Sequence, residues 1–206
     1  MISLLIDTST NYVVIGLLNE TKIIDQKIVY NDKNLSTNFV PMVEELLTKN
    51  NKKPIDIDTI FVAIGPGSFT GIRVGVTFAK VMAWSLNIRV IPFSSLELIA
   101  SSSSENVIVP LIDARRGYVF GGIYDQNLNC IMDDKYVSLD ELLGRIKIYN
   151  NPTFISTDSF NFTTILPNVD ISKVVSKHLN DEGVNPHNLN PNYLKKTEAE
   201  EKLNGE

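Results

Sequence analysis

Cysteine, histidine and tryptophan are nearly missing from this 206-residue chain, and so is any excess of positive charge. A lone Cys130 cannot form an internal disulfide, and cysteine poverty fits a reducing compartment. The only histidines, His178 and His187, have no carboxylate cluster in sequence that would make them good metal ligands, so structural roles are expected. No nucleophile elbow and no His-Glu zinc motif is present. Nineteen lysines and arginines against 24 acids give a formal net charge of −5. That balance argues against unaided binding to nucleic acid, which normally requires a basic footprint. If RNA is involved, contact is expected only indirectly, with another chain supplying the charge. No window reaches the roughly 20 apolar residues of a membrane helix. The first five residues have no basic n-region and Asp7 interrupts the apolar run, so a signal peptide is not expected. These absences leave a cytoplasmic α/β protein with no membrane partner, long enough for one compact domain or two small lobes.

What is present is an order of elements that occurs twice. Ile2 to Asp7 is a short apolar run ending on a carboxylate, followed by two β-branched segments, Asn11 to Leu18 and Lys22 to Tyr30. Phe39, Val40, Val43, Leu46 and Leu47 then recur with helical spacing, predicting a helix over 37–48. Pro41 fits that helix only near its first turn. An apolar strand over 59–64 closes the unit. The same order returns about 106 residues later: Val107 to Asp113, Gly117 to Tyr124 and Asn129 to Val137, then a helix opened by the capping box Ser138-Leu139-Asp140-Glu141, then Thr153 to Ser156. Aligned without gaps, Ile6-Asp7 falls on Ile112-Asp113 and Tyr12-Val13 on Tyr118-Val119. The expected division is a first lobe over 1–103 and a smaller second lobe over 104–206. A further helix is expected over 170–179, and a polar tail from Val184 onward.

Between the halves lies the most informative stretch, Gly65-Pro66-Gly67-Ser68-Phe69-Thr70-Gly71 and the helix it opens, expected over 70–86. A strand delivering a glycine-dotted helix is either a phosphate cradle or a surface built for close packing. The P-loop template fails, because five residues separate Gly65 from Gly71 and Ile72-Arg73 stands where Lys-Ser/Thr belongs. The dinucleotide fingerprint fails at Thr70, and Pro66 removes an amide donor from the middle of the loop. The packing alternative follows from about 100° per residue. Gly71, Gly75, Phe78 and Met82 share one face, with Ile72, Val76, Ala79 and Ala83 on the next. A helix apolar around most of its girth is covered on more than one side. The residues alone leave open whether that cover is internal or a second protein.

Asp7 and Asp113 each end a strand before a turn, where a carboxylate can hold a hydrated metal ion near phosphates or simply cap the turn. They are the weak candidates for a cofactor site, and no cofactor or metal is assigned. The pair Arg115-Arg116 is either an anion contact or a solvated turn.

Ile6-Asp7-Thr8-Ser9-Thr10, the run from Gly65 through Ser68-Phe69-Thr70-Gly71-Ile72-Arg73 to Gly75, Ile112-Asp113-Ala114-Arg115-Arg116-Gly117, and Pro191-Asn192-Tyr193-Leu194-Lys195-Lys196 together resemble the bacterial TsaB family. These motifs span nearly the whole chain. The resemblance implies a duplicated actin-like ATPase (ribonuclease H-like) α/β fold with two lobes, the second reduced. It implies a non-catalytic subunit that dimerises with TsaD and, with the ATPase TsaE, supports threonylcarbamoyl transfer to the adenosine following the anticodon in tRNAs. TsaD, the catalytic paralogue, carries a His-x-x-x-His metal motif on an early helix, and this chain has no histidine before 178. The family uses its first two helices for TsaD and for its own homodimer. That places Phe39, Val43, Leu46, Gly71, Val74, Gly75, Phe78, Ala79 and Met82 as candidate partner-binding residues. Asn34-Leu35-Ser36 stands where members often have a histidine, and Ser156-Thr157-Asp158-Ser159 where many have glycines. The competing expectations are an ATP-binding phosphotransferase or hydrolase using Asp7 and Asp113, and a homodimeric scaffold without a role in RNA modification. Contact of Arg115, Arg116 or Lys195-Lys196 with tRNA is left open.

Overall fold

The structure is a computed structural model and describes residues 1–31 and 34–195. Its first sheet contains β1 (Ile2–Asp7), β2 (Tyr12–Asn19), β3 (Lys22–Tyr30), β4 (Thr59–Ala63) and β5 (Arg89–Phe93), in the order β3-β2-β1-β4-β5. β1 runs antiparallel to β2 and parallel to β4, and β4 is parallel to β5. Helices α1 (Leu35–Lys49) and α2 (Phe69–Leu86) cover one face, burying Leu4, Ile6, Val13 and Ile15 with Phe39, Val43 and Ala79. β4 is buried along its whole length, which is why it reads as an uninterrupted apolar run.

The second sheet repeats the pattern with β6 (Ile108–Asp113), β7 (Tyr118–Tyr124), β8 (Cys130–Ser138) and β9 (Thr153–Ile155), in the order β8-β7-β6-β9. Helix α4 (Leu139–Ile146) stands where α1 stands in the first unit, with Ser138 accepting the Glu141 amide at its N-terminus. Counterparts of α2 and β5 do not occur among the described residues, so this lobe is the smaller one. The short α3 (Ser95–Ala100) and α5 (Ile171–His178) fill the space between the two sheets, in a core that joins Leu5, Val14 and Phe61 to Ile108, Ile112 and Ile171.

Three local expectations change. The ungapped alignment holds for β2 and β7 but slips by one residue for β1 and β6. Ile6 pairs with Ile15 and both face α1 and α2, whereas the pair facing α4 is Leu111 with Gly121. Ile6 therefore matches Leu111, Asp7 matches Ile112, and Asp113 lies one residue further on. Because strand side chains alternate, that slip turns Asp113 to the face opposite the one Asp7 occupies.

Pro41 is inside α1 rather than in its first turn. It is exposed, and so is Thr37, whose carbonyl loses its helical donor on the side open to solvent. The segment from Val184 onward folds back as a strap instead of trailing as a polar tail. Val184 bridges to Val90, Leu189 is buried in the α1–α2 core, and the Asn192 amide donates to Ile64 O at 2.7 Å. Lys80 Nζ donates to the carbonyls of His187 (3.0 Å) and Leu189 (3.3 Å), tying the strap to α2. Lys196 lies outside the described residues.

Candidate docking groove and interlobe cleft

The glycines of α2 are spent within the chain. Ser68 caps the helix by accepting the Gly71 amide at 3.2 Å, while its own amide donates to Ser9 O at 2.7 Å. The turn after β1 then lies against the helix backbone. A Cβ on Gly71 would sit 2.1 Å from Thr8 O, and one on Gly75 would sit 2.6 Å from Thr8 Oγ1. Thr8 Oγ1 donates to Gly71 O (2.7 Å) and accepts from Gly75 N (3.1 Å), so one buried hydroxyl spans a carbonyl and an amide four residues apart. A Cβ on Gly67 would likewise strike Ser9 O, at 2.2 Å. The loop that resembles a phosphate cradle is thus filled by the protein's own carbonyl oxygens.

The two carboxylates do not converge. Asp7 is 2% exposed, and its Oδ1 accepts the Ser9 amide at 2.7 Å. Burial pushes its carboxyl up to about 6, only partly offset by the hydrogen bonds from Ser9 and Thr8. Its side chain lines an apolar cavity between the sheets. Asp113 is exposed and lines an adjoining polar cleft of about 440 Å³ with Ser9, Ser68, Thr70, Arg115 and Asp158. There Asp113 Oδ1 accepts the Arg115 amide at 2.8 Å, the same turn-capping role that Asp7 plays for Ser9. Asp158 links the lobes across that cleft, accepting from Asp113 N (2.8 Å) and from Asn11 Nδ2 (3.3 Å).

Arg115 and Arg116 sit in the turn after β6 with positive φ (68° and 56°), and Lys195 Nζ lies 5.2 Å from the Tyr136 ring centroid. His178 is a structural residue. Its Nε2 meets Glu97 and its Nδ1 meets Asp181, each at 2.7 Å, joining α5 to α3. Burial disfavours the imidazolium, but Glu97 and Asp181 outweigh it and raise the pKa. No group of three or more potential metal ligands occurs among the described residues. No helix of the described residues is long and apolar enough to cross a membrane.

The surface left open by α1 and α2 is a groove of about 630 Å³ between them. Of the expected partner-binding residues, Phe39, Val43, Leu46 and Ala79 are core, at most 3% exposed, and Gly71 and Gly75 are covered by Thr8. Val43, Leu46, Ala79 and the two glycines are therefore packing residues within the chain, while the buried Phe39 also lines the inner side of the groove. Val74 and Phe78 are half-buried on the groove, with Met82 at its floor. Phe78 meets Phe39 edge to face at 5.2 Å, which fixes the spacing of the two helices. The sequence reading missed Val40 and Val81, 54% and 55% exposed, which form opposite walls. The spacing Val74, Phe78, Val81 on α2 is the signal that identifies this second apolar stripe. An exposed apolar stripe on α2, extended by Val40 of α1, makes a contiguous apolar patch of the kind found at protein-binding faces.

Comparison with known proteins adds the following. A family model described as TsaD, tRNA N6-adenosine threonylcarbamoyltransferase, matches residues 27–189. The chain is 35% identical to the tRNA threonylcarbamoyladenosine biosynthesis protein TsaB of Bacillus subtilis (strain 168), across 98% of this chain and 97% of that one. It is 29% identical to the protein of the same name from Escherichia coli (strain K12), across 62% of this chain and 57% of that one. Among solved structures it is similar to YeaZ from Pseudomonas aeruginosa, with a TM-score of 0.75 at 20% identity, covering 94% of this chain and 99% of that one. That likeness shows the fold: two lobes of the actin-like, ribonuclease H-like type.

Proposed function

The chain belongs to the TsaB family, and from that premise we propose that it is the non-catalytic subunit of the machinery that makes threonylcarbamoyladenosine in tRNA. In this reading it pairs with a TsaD-like catalytic subunit, a TsaE-like ATPase joins the complex, and tRNA is met only indirectly, through the partners. The observation that carries the reading is the groove between α1 and α2, with Val40, Val74, Phe78 and Val81 open to a partner. A second copy of this chain is the competing occupant of the same face, so homodimer and heterodimer exclude one another.

Two features support a non-catalytic role over a phosphotransferase or hydrolase built on Asp7 and Asp113. Asp7 is buried against the apolar cavity while Asp113 is exposed on the polar cleft, an arrangement that does not favour a shared metal ion. The helix terminus that would receive a phosphate already receives the Ser9 carbonyl, at 2.7 Å from the Ser68 amide. The contribution to transfer is then structural, holding the catalytic subunit in its competent form. A cytoplasmic location goes with that role and with the single, exposed Cys130.

The reading is tested by pairing. Val81→Asp places a charge on the groove wall at a position already half open to water, so the fold is expected to tolerate it. Loss of a central apolar contact plus burial of an unpaired charge costs about 2 kcal/mol or more, roughly 30-fold in affinity. Calorimetry with the TsaD-like subunit is expected to show that loss at unchanged melting temperature. A folded Val81→Asp variant that pairs as tightly as the wild type overturns the assignment of the face.

A further inference from the structure

Asp7 is the one buried carboxylate that the docking role leaves without a task. It is 2% exposed, and the group that holds it, the Ser9 amide, is neutral. Neither of its oxygens meets a cation among the described residues. Burying an ion without a counter-charge is costly, and proteins ordinarily avoid it by pairing or by neutralising the group. Asp7 does not face the polar cleft where a phosphate or hydrated metal would be held. It lines a cavity of about 230 Å³, several times the roughly 30 Å³ share of a water molecule.

The walls of that cavity are mostly hydrocarbon. Val14 and Ile28 come from the first sheet, Leu98 from α3, and Leu166 and Val169 from the segment that follows β9. Among the described residues, Tyr12 is the only other titratable side chain on its walls, and no lysine, arginine, histidine or second carboxylate lines it. Ile28 and Leu166 are 43% and 72% exposed, so the cavity has an apolar mouth. A carboxylate at the inner end of an aliphatic pocket is complementary to a group with the opposite arrangement. A divalent ion would have to exchange its hydration shell for hydrocarbon with a single carboxylate in reach, which the donor set does not favour.

We propose that this cavity binds a primary ammonium group carried on an aliphatic stem, the ammonium meeting Asp7 and the stem packing between Val14, Ile28 and Leu98. Two sources share this chemistry, a free alkylamine and the side chain of a lysine on another polypeptide. The ammonium supplies three donors and the missing charge, and the stem displaces water from apolar walls. The site is independent of the α1–α2 groove, which lies on the other face of the first sheet.

The test is a methyl-resolved NMR titration of the full chain with n-butylamine, n-butanol, ammonium chloride and the peptide acetyl-Leu-Lys-Leu-amide. Saturable shifts of the Val14, Ile28, Leu98 and Val169 methyls are expected with n-butylamine, at least tenfold weaker with n-butanol, and absent with ammonium chloride. The amine affinity is expected to drop about tenfold from pH 7.5 to pH 5, as Asp7 takes up its proton while the ammonium stays charged. Asp7→Asn is expected to lose at least tenfold, and Ile28→Trp, which narrows the mouth from an exposed position, to lose binding while leaving Asp7 in place. Tighter binding of the peptide than of the amine assigns the source to a lysine side chain, and amine binding without peptide binding assigns it to a free alkylamine. No cavity shifts with either, equal shifts with n-butanol or ammonium chloride, or full affinity in Asp7→Asn overturns the proposal.

Discussion

Exchanging Asp7 for asparagine replaces a buried carboxyl by a neutral amide of nearly the same shape, with Oδ1 still able to accept the Ser9 amide. Burial raises the carboxyl from 3.8 to about 6. Two units correspond to about 3 kcal/mol of linked stability. For an acid with a raised folded-state pKa, the stability is complete below about pH 4, where both states carry the proton. Between pH 4 and 6 the unfolded chain ionises while the folded one holds its proton, so stability falls. Above pH 6 both are ionised and the loss is complete. Wild type is therefore expected to lose about 3 kcal/mol between pH 4 and pH 7 through this one group, and Asp7→Asn is not. Urea unfolding of both proteins at half-unit steps measures the difference directly, since every other titrating group cancels in the comparison. With a slope of about 3 kcal/mol per molar urea, the variant's midpoint should exceed the wild type's by about 1 M at pH 7 and match it at pH 4. A difference that stays flat across that range refutes the reasoning, because Asp7 would then be solvated or paired in the folded state.

Other consequences follow from single residues. Thr8→Val removes the hydroxyl between Gly71 O and Gly75 N and is expected to cost about 1–3 kcal/mol in urea unfolding through the stranded polar groups. Leu189→Ala opens a cavity under the strap and should cost about 2–5 kcal/mol, with faster proteolysis beyond residue 184. For His178, whose folded pKa is raised, the pairing with Glu97 stabilises fully below the ordinary histidine pKa and is lost as pH rises through the folded value. His178→Gln should abolish that alkaline decline in unfolding midpoint, and an unchanged pH profile would count against the ion pair.

The repeated order of strands and helices is legible because each element carries its own periodicity and its own stop signals. Ser68, Ser94 and Ser138 stand at helix starts, and all three accept a backbone amide there. The failures come where a one-residue or tertiary effect decides. Asp7 and Asp113 look equivalent in an ungapped alignment, yet the β1–β6 slip sends them to opposite faces, which no local pattern reports. The glycines of α2 announce close packing but not its partner, and the partner is the Thr8-Ser9 turn, more than sixty residues away in sequence. Leu189 and Tyr193 are isolated among prolines and asparagines, so nothing periodic marks the strap. Tyr193 nevertheless stacks on Phe69 at 4.8 Å and accepts a hydrogen bond from Arg73 Nε at 2.7 Å. The lining of the α1–α2 groove is half legible. Phe39, Val74, Phe78 and Met82 line it, while Val43, Leu46 and Leu47, which carry the strongest helical spacing of α1, are core.

The central claim, that this chain assists transfer by pairing through its α1–α2 groove, is tested most directly by reconstituting threonylcarbamoyl transfer to tRNA from purified subunits. Product formation is measured with a TsaD-like and a TsaE-like subunit alone, with wild-type chain added, and with Val81→Asp added. The prediction is that wild type restores transfer and that Val81→Asp restores it only at concentrations roughly 30-fold higher, in step with its weakened pairing. Full transfer without the chain, or equal rescue by the folded variant, would contradict it.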